Sequence, residues 1–488
     1  MERPRLSERT LAQARGGVLC PTYRRADCHI GWVHFGAGAF HRAHQAYYAD
    51  RLLGSDPRWA ISAVALHSVA ARNALAPQDY LYGLFELAAQ PRLRFIGALR
   101  EILVAPIDRA AVFARLVAAA TEVVTLTVTE KGYCLNCDGV LDASHPDIVH
   151  DLAAPGAPRS VIGFLVEGLR RRRAGGQRPF VLLSCDNLPA NGPTLRAALI
   201  AFARHIDPGL AEWIGSQVAF PRTMVDSITP ASDAELIERV AQMSGLRDDW
   251  PVQREHFTQW VIEDVPEVRR ADWASVGITL ARDVSHYERA KLRIVNGAHS
   301  ALAYIGLLRG RATVAEAMAD RPLAQFIEQL LREDLGSSLP ASAGMDGAAY
   351  RAATLERLRN PSVRHQLAQI AWDGSKKLPV RLLPVAAEAL AAGRPLARLA
   401  LPIAAWMRFV IARARSGATL IDPEAEQLLR VGAACTDEPQ RDVGRFLAVR
   451  EIFPPHLVSV PAFGQALLEA YRALGANGSI PAALGGDA

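Results

Sequence analysis

Hydrophobic positions fall into two regimes along the chain. Up to about residue 280, short apolar runs alternate with segments whose apolar residues recur every three or four positions. The run 30–35 ends in Gly36-Ala37-Gly38 and leads into a helical pattern that continues through Leu53. Further strands are predicted at 59–66, 122–128 and 179–184. Extended segments are expected at 80–86 and 93–104, with a hairpin around Gln90-Pro91. Helical spacing marks 107–120, 161–173 and 194–205. Alternation of this kind implies parallel strand pairing, so the expected class is α/β with a doubly wound sheet.

From about Ser285 the pattern changes. Segments 287–308, 313–319, 323–333, 348–358, 362–371, 396–414 and 423–430 all carry helical spacing, and no strand reads convincingly among them. The chain therefore divides into an α/β domain, 1–283, and an all-α domain, 284–488, with no flexible linker and no internal repeat.

Composition adds limits. Half of the 488 residues are hydrophobic and 22% are charged, which suits a globular protein and excludes a disordered or fibrous one. No apolar run is long enough for a membrane helix, and the N-terminus lacks the apolar core of a secretory signal. Six cysteines make no disulfide framework and suit a reducing compartment, so a cytoplasmic protein without membrane association is expected.

The net charge of +5 raises the alternative of a basic nucleotide- or nucleic-acid-binding protein. Arginine is spread through the chain, and its one dense run, Arg170-Arg171-Arg172-Arg173, ends an apolar helical stretch, where cations complement the helix dipole. No aromatic residues interleave with it, so nucleic acid is not the expected partner. An anionic cofactor or small substrate fits the charge as well.

Of the 55 basic residues only four are lysines: Lys131, Lys291, Lys376 and Lys377. Arginine cannot lose its proton near neutrality, whereas a desolvated lysine can. Their three neighbourhoods are the first places to look for chemistry.

Several motifs lie close to them or at strand ends. Gly36-Ala37-Gly38 follows the first strand and suits a tight turn against a pyrophosphate. The third glycine of that fingerprint is absent, with His41 in its place, so a plain strand–turn–helix junction is the alternative. The second strand ends Leu66-His67-Ser68, with no acid to bond an adenosine ribose or to repel a 2′-phosphate. Ser184-Cys185-Asp186-Asn187-Leu188-Pro189-Ala190-Asn191-Gly192 sits at a strand end and has every ingredient of a turn. On a helix opening the second domain, Glu288, Asn296 and His299 fall within roughly 140° of Lys291 at ideal helical spacing. Cys134-Leu135-Asn136-Cys137 has no second ligand pair, so neither zinc nor redox function is expected.

Five segments in collinear order then carry a resemblance. They are Gly36-Ala37-Gly38-Ala39-Phe40-His41-Arg42, Thr127-Val128-Thr129-Glu130-Lys131-Gly132-Tyr133, the Ser184 to Gly192 stretch, Pro221-Arg222-Thr223-Met224-Val225-Asp226-Ser227-Ile228-Thr229-Pro230, and Lys291-Leu292-Arg293-Ile294-Val295-Asn296-Gly297-Ala298-His299-Ser300. Together they resemble the polyol-specific long-chain dehydrogenases, the mannitol dehydrogenase family.

The resemblance implies a Rossmann-type domain followed by a mainly helical one, zinc-free chemistry and a nicotinamide cofactor. NAD is the expected cofactor, with NADP possible because no acid follows Leu66. It further implies Lys291 as general base, Asn187 and Asn296 as the pair stabilising the oxyanion, His299 as substrate-orienting group and Glu288 as proton relay. Asp226 and Lys377 would lie on the substrate side. Gly36, Gly38, Phe40, His41, His67 and Glu130 make up the candidate cofactor-binding set. Asp373-Gly374-Ser375-Lys376-Lys377-Leu378-Pro379-Val380-Arg381 resembles the uronate-reducing members and adds Arg381 as a cation for a carboxylate. Interconversion of D-mannonate and D-fructuronate is therefore the expected reaction, with D-mannitol and D-fructose second. A Schiff-base role for Lys291 is a further enzymatic alternative.

Overall fold

The computed structural model describes residues 3–136, 138–338 and 346–485. Residues up to Ser285 form one compact unit and those from His286 a second. The described residues of the first unit form eleven strands: β1 (Ile30–Phe35), β2 (Ala60–Ala65), β3 (Tyr82–Leu87), β4 (Arg92–Ile96), β5 (Leu99–Val104), β6 (Val123–Leu126), β7 (Val181–Ser184), β8 (Thr223–Asp226), β9 (Val252–Glu255), β10 (Gln259–Glu263) and β11 (Thr279–Ala281).

Its main sheet is entirely parallel, in the order β5-β2-β1-β6-β7. β2, β6 and β7 are buried along their whole length, as apolar strands are when helices cover both faces. Alternation along β1 sends Trp32 to one face and Val33 and Phe35 to the other. The Trp32 side packs the Gln45–Leu52 helix with Trp59, Trp260 and Trp273. The Phe35 side packs the helices Arg109–Val117, Val161–Ala174 and Asn191–Ile206 through Phe113, Phe164 and Leu199. This is the doubly wound α/β arrangement expected from the alternation.

Three expectations are refined. The segment 93–104 is two strands broken at Gly97, where a Cβ would lie 2.8 Å from Pro21 Cγ. Hence β4 pairs antiparallel with β3, forming the hairpin, while β5 joins the parallel sheet. The helix expected through Leu53 breaks at His44 into Ala39–Ala43 and Gln45–Leu52. Two small mixed sheets, β4-β3-β9 and β11-β10-β8, bring in β8, β9, β10 and β11, strands of three to five residues that were not anticipated.

In the second unit no strand occurs among the described residues. A core of leucine, isoleucine and alanine side chains surrounds the helices Gly297–Leu308 and Ala397–Ser416, with Trp406 at its centre. Helices at Gly374–Arg381, Leu383–Ala391, Pro439–Leu447 and Pro461–Leu474 add to those anticipated. Of the expected 362–371 helix only Leu367–Ile370 is helical. Among the described residues no helix is long and apolar enough to cross a membrane.

Candidate functional site

β1 has β2 on one side and β6 on the other, so the chain leaves the sheet in opposite directions at its carboxyl end. Open α/β sheets bind ligands at that point. Gly36 sits there at φ +104°, and a Cβ on it would lie 2.1 Å from the Thr127 carbonyl oxygen. Only glycine permits this approach. The contact is fastened by Thr127 N–H donating to Phe35 O at 2.9 Å and Thr127 Oγ1 donating to Gly36 O at 3.1 Å. Gly38 differs: a Cβ there would meet no atom nearer than Gly36 O, at 4.0 Å, so its missing side chain leaves open space.

Behind the turn, His34 bonds Thr125 through Nδ1 at 2.6 Å and Thr127 through Nε2 at 2.9 Å. His41, in the place of the third glycine, is fully buried and stacks on His34 with centroids 3.5 Å apart. Burial pushes His34 down to about 3 and His41 well below its usual value, so both rings are neutral near pH 7. They are packing for the turn.

The turn opens on a cavity of about 670 Å³, within the range of small-molecule sites. Gly36 and Gly38 line it on one side, and His67 and Ser68 at the end of β2 on another. Lys131 and Arg159 supply cations, and Asp147 is the one carboxylate in the described lining. Phe40, His41 and Glu130 do not belong to the lining. Open space at Gly38, two cations and polar groups at the β2 end suit an anionic dinucleotide. Arg159 was missed by sequence reading because nothing in its local pattern separates it from the other arginines.

Cys134, His145 and Asp147, also in this wall, place one donor atom each within 4.8 Å of one another. This trio differs from the Cys-x-x-Cys pair, whose Cys137 lies outside the described residues. Burial and nearby Asp147 push the Cys134 thiol up to about 12, and His145 Nδ1 already accepts the Asp147 amide at 3.2 Å. The arginine run is structural: Arg170 and Arg171 bond Glu167, Arg172 is buried on the Leu116 and Ala118 carbonyls, and Arg173 reaches Asp207.

At the end of β7 the chain turns through Ala190 at φ +47° into the Asn191 helix. Asn191 Nδ2 donates to Thr223 O at 2.9 Å, and Thr223 Oγ1 donates to Ser184 O at 2.6 Å, locking β8 to β7. Asn187 is exposed on this edge, while Asp226 ends β8 and is buried.

In the second unit the expected helix 287–308 is three pieces: an α-helix at Ser285–Ala290, a π-helix at Lys291–Asn296 and an α-helix at Gly297–Leu308. A π-helix bonds i to i+5 and turns less per residue than an α-helix, so Lys291 and Asn296, five residues apart, lie nearer one face. The regular spacing assumed from sequence separates them more widely. Glu288 lies one turn before Lys291, and His299 is buried one turn after Asn296.

The Gly374–Arg381 helix packs alongside. A Cβ at Gly374 would lie 2.4 Å from Trp406 Nε1, so glycine sets this approach. Arg381 donates to the Asn296 carbonyl at 3.3 Å and to Ser300 Oγ at 3.2 Å. His365, unforeseen from sequence, meets the His299 ring edge-on at 5.9 Å. Burial and then Lys377 push His365 down to about 4, which keeps it neutral. Lys377 Nζ donates to Ile370 O at 3.2 Å. Lys376 turns away, to Glu424 at 2.9 Å. Lys291, Asn296, His299, Lys377 and Arg381 are thus gathered on neighbouring helices.

A parallel sheet with a glycine turn at its switch point, followed by a helical unit carrying clustered lysine, asparagine and histidine, defines a Rossmann-type oxidoreductase architecture. Family models agree: residues 30–274 match the mannitol dehydrogenase Rossmann domain and 283–475 the mannitol dehydrogenase C-terminal domain. The chain belongs to the mannitol dehydrogenase family. It is 39% identical to a mannitol 2-dehydrogenase of Aspergillus fumigatus over 467 residues, covering 92% of each chain. It is 38% identical to the D-mannonate oxidoreductase of Escherichia coli over 480 residues, covering 96% of this chain and 98% of that one. The structure of Pseudomonas fluorescens mannitol 2-dehydrogenase in ternary complex with NAD and D-mannitol superposes with a TM-score of 0.88 at 36% identity, covering 97% of both chains.

Proposed function

We propose that this protein is a nicotinamide-dependent dehydrogenase that interconverts D-mannonate and D-fructuronate, with the first unit binding NAD and the second the substrate. The observation that carries this reading is the π-turn: it brings Lys291 and Asn296 nearer one face, with His299 one turn on and the cation Arg381 bonded to the Asn296 carbonyl. Bound NAD supplies the hydride acceptor. Gly36 and Gly38 admit its diphosphate, Lys131 and Arg159 balance the charge, and His67 and Ser68 meet the adenosine ribose. Phe40 and His41 brace that turn, and Glu130 adjoins the wall through Lys131.

Lys291 takes the hydroxyl proton of the secondary alcohol. A nearby positive ring and desolvation both disfavour an ammonium, which is why lysine and not arginine serves there. The amides of Asn187 and Asn296 donate to the oxygen as its charge grows, and donors fixed beforehand stabilise the transition state most. His299 orients the alcohol, Glu288 passes the proton onward, and Asp226 bonds substrate hydroxyls. No metal is needed, since the lysine does the work of the base. Without an acid at the β2 end, NADP is used as well, less efficiently than NAD.

Lys377 and Arg381 favour a sugar acid, since a carboxylate at the far end of the substrate needs a cationic partner. The second reading is D-mannitol and D-fructose, favoured by the Lys377 bond to the Ile370 carbonyl, which already occupies one donor. Steady-state kinetics on both pairs separate them. A higher kcat/KM for D-mannonate, lowered about tenfold or more in Lys377→Ala, is expected. A higher value for D-mannitol, untouched by that substitution, would contradict the sugar-acid assignment.

A further inference from the structure

Asp186 precedes the proposed oxyanion donor Asn187 and was not singled out from the sequence. Its carboxylate accepts three hydrogen bonds from the segment that follows β6. Val128 N–H donates to Oδ2 at 3.1 Å, Thr129 N–H to Oδ1 at 2.9 Å, and the Tyr133 hydroxyl to Oδ2 at 2.7 Å. With that proton committed, the Ser184 hydroxyl donates to the Tyr133 oxygen at 2.5 Å. Thr129 stands at φ +66°, a region that non-glycine residues avoid unless their surroundings hold them. Val128, Thr129, Lys131 and Gly132 all line the cavity.

We propose that Asp186 is a positioning residue: its carboxylate ties the Val128–Thr129 backbone and Tyr133 to the strand end that carries Asn187, and so sets the cavity wall in register with the amide. The proposal rests on the reading of Asn187 as a donor to the reacting oxygen. Two amides and a phenol give one carboxylate little freedom, and a short tether passes this order to the next residue. Misplacing a reacting group by about 1 Å costs on the order of a hundredfold in rate.

Ionisation matters to such a clamp, because only the carboxylate accepts all three bonds with no proton of its own to place. Burial pushes Asp186 up to about 6. The groups facing it are Tyr133 and the backbone amides, whose bonds lower it, Glu130, whose charge raises it, and the neighbouring Cys185 thiol. Acidification through pH 6 therefore loosens the wall. Removing the Tyr133 hydroxyl removes a bond that favours the carboxylate and moves that transition upward.

The test uses the full chain with NAD and whichever of D-mannonate and D-mannitol it oxidises faster, measured across pH. Asp186→Asn is expected to lower kcat about 10- to 100-fold, with a smaller change in KM for substrate. Tyr133→Phe is expected to lower kcat less and to shift the acid limb to higher pH, which a merely structural role would not do. A kcat for Asp186→Asn within twofold of wild type would overturn the proposal. So would an unmoved acid limb in Tyr133→Phe, which decides the matter if Asp186→Asn does not fold.

Amide hydrogen exchange over 127–133, without substrate, reads the clamp apart from the chemistry. Faster exchange in Asp186→Asn, or in Tyr133→Phe, is expected, and unchanged protection would refute the clamp. Faster exchange in a protein that oxidises neither alcohol would refute the activity reading and leave the clamp standing.

Discussion

The carboxyl edge of the parallel sheet and the helix that opens the second unit carry their chemistry on opposite kinds of backbone. At the sheet edge, a row of side chains bonds strand to strand: Thr127 to the Gly36 carbonyl, Thr223 to Ser184, Asn191 to Thr223. A Cβ would come within 2.1 Å of the Thr127 carbonyl oxygen at Gly36 and within 2.3 Å of the Phe220 carbonyl oxygen at Gly192, so neither position has room for a side chain. At the helix, order comes from widening the backbone ladder itself, as one π-turn from Lys291 to Asn296. The first region is rigid because many groups agree. The second depends on one turn that brings two residues nearer one face, so substitutions there should act on rate, and those at the crowded glycines of the sheet edge on folding.

The largest effect is expected at Lys291. Lys291→Ala should lose about 10²- to 10⁴-fold in kcat, the usual worth of a general base, and Lys291→Arg should not rescue it. Its melting temperature and NADH affinity should stay close to wild type. Turnover above about a hundredth of wild type would remove the base assignment. Asn187→Ala and Asn296→Ala come next, each lowering kcat about 10²-fold, as the loss of one oxyanion donor does. Unchanged kcat in both would remove the oxyanion-pair reading.

Gly36→Ala is expected to act on the fold. A Cβ 2.1 Å from the Thr127 carbonyl at φ +104° should cost about 2–4 kcal/mol in denaturant unfolding. Gly38→Ala sharpens the contrast two residues away. Nothing in the protein crowds it, so its stability should change by under about 0.5 kcal/mol while NADH affinity, by fluorescence titration, falls roughly tenfold. A large stability loss at Gly38 would mean that the open space serves packing. The smallest effect is expected from EDTA or Cys134→Ser, which should leave kcat unchanged. Activity abolished by both would make the Cys134, His145 and Asp147 trio a working metal site.

The sheet edge was largely legible because its features leave marks on composition. Apolar runs ending in glycine announced β1 and its turn, and a chain nearly free of lysine drew attention to Lys131, which lines the cavity, and equally to Lys376, which turns away to Glu424. The π-turn left no such mark: residues 291–296 read as ordinary helix, since a widened turn changes hydrogen bonding and not hydropathy. Gly97 looked like a residue within one long strand because its crowding by Pro21 and Tyr23 comes from elsewhere in the chain. Asp186 looked like a turn residue for the same reason, its three donors lying over fifty residues earlier. His365 became visible only through its packing on His299.

Transfer of deuterium tests the central claim most directly. The purified protein is incubated with NAD and D-mannonate, or D-mannitol, deuterated at the carbinol carbon that becomes the ketone, and the reduced dinucleotide is examined by NMR. Hydride transfer predicts one deuteron at C4 of the nicotinamide, none released to solvent, and no product from Lys291→Ala on the same time scale. Deuterium appearing in water, or borohydride fixing the ketose covalently to Lys291, would contradict it.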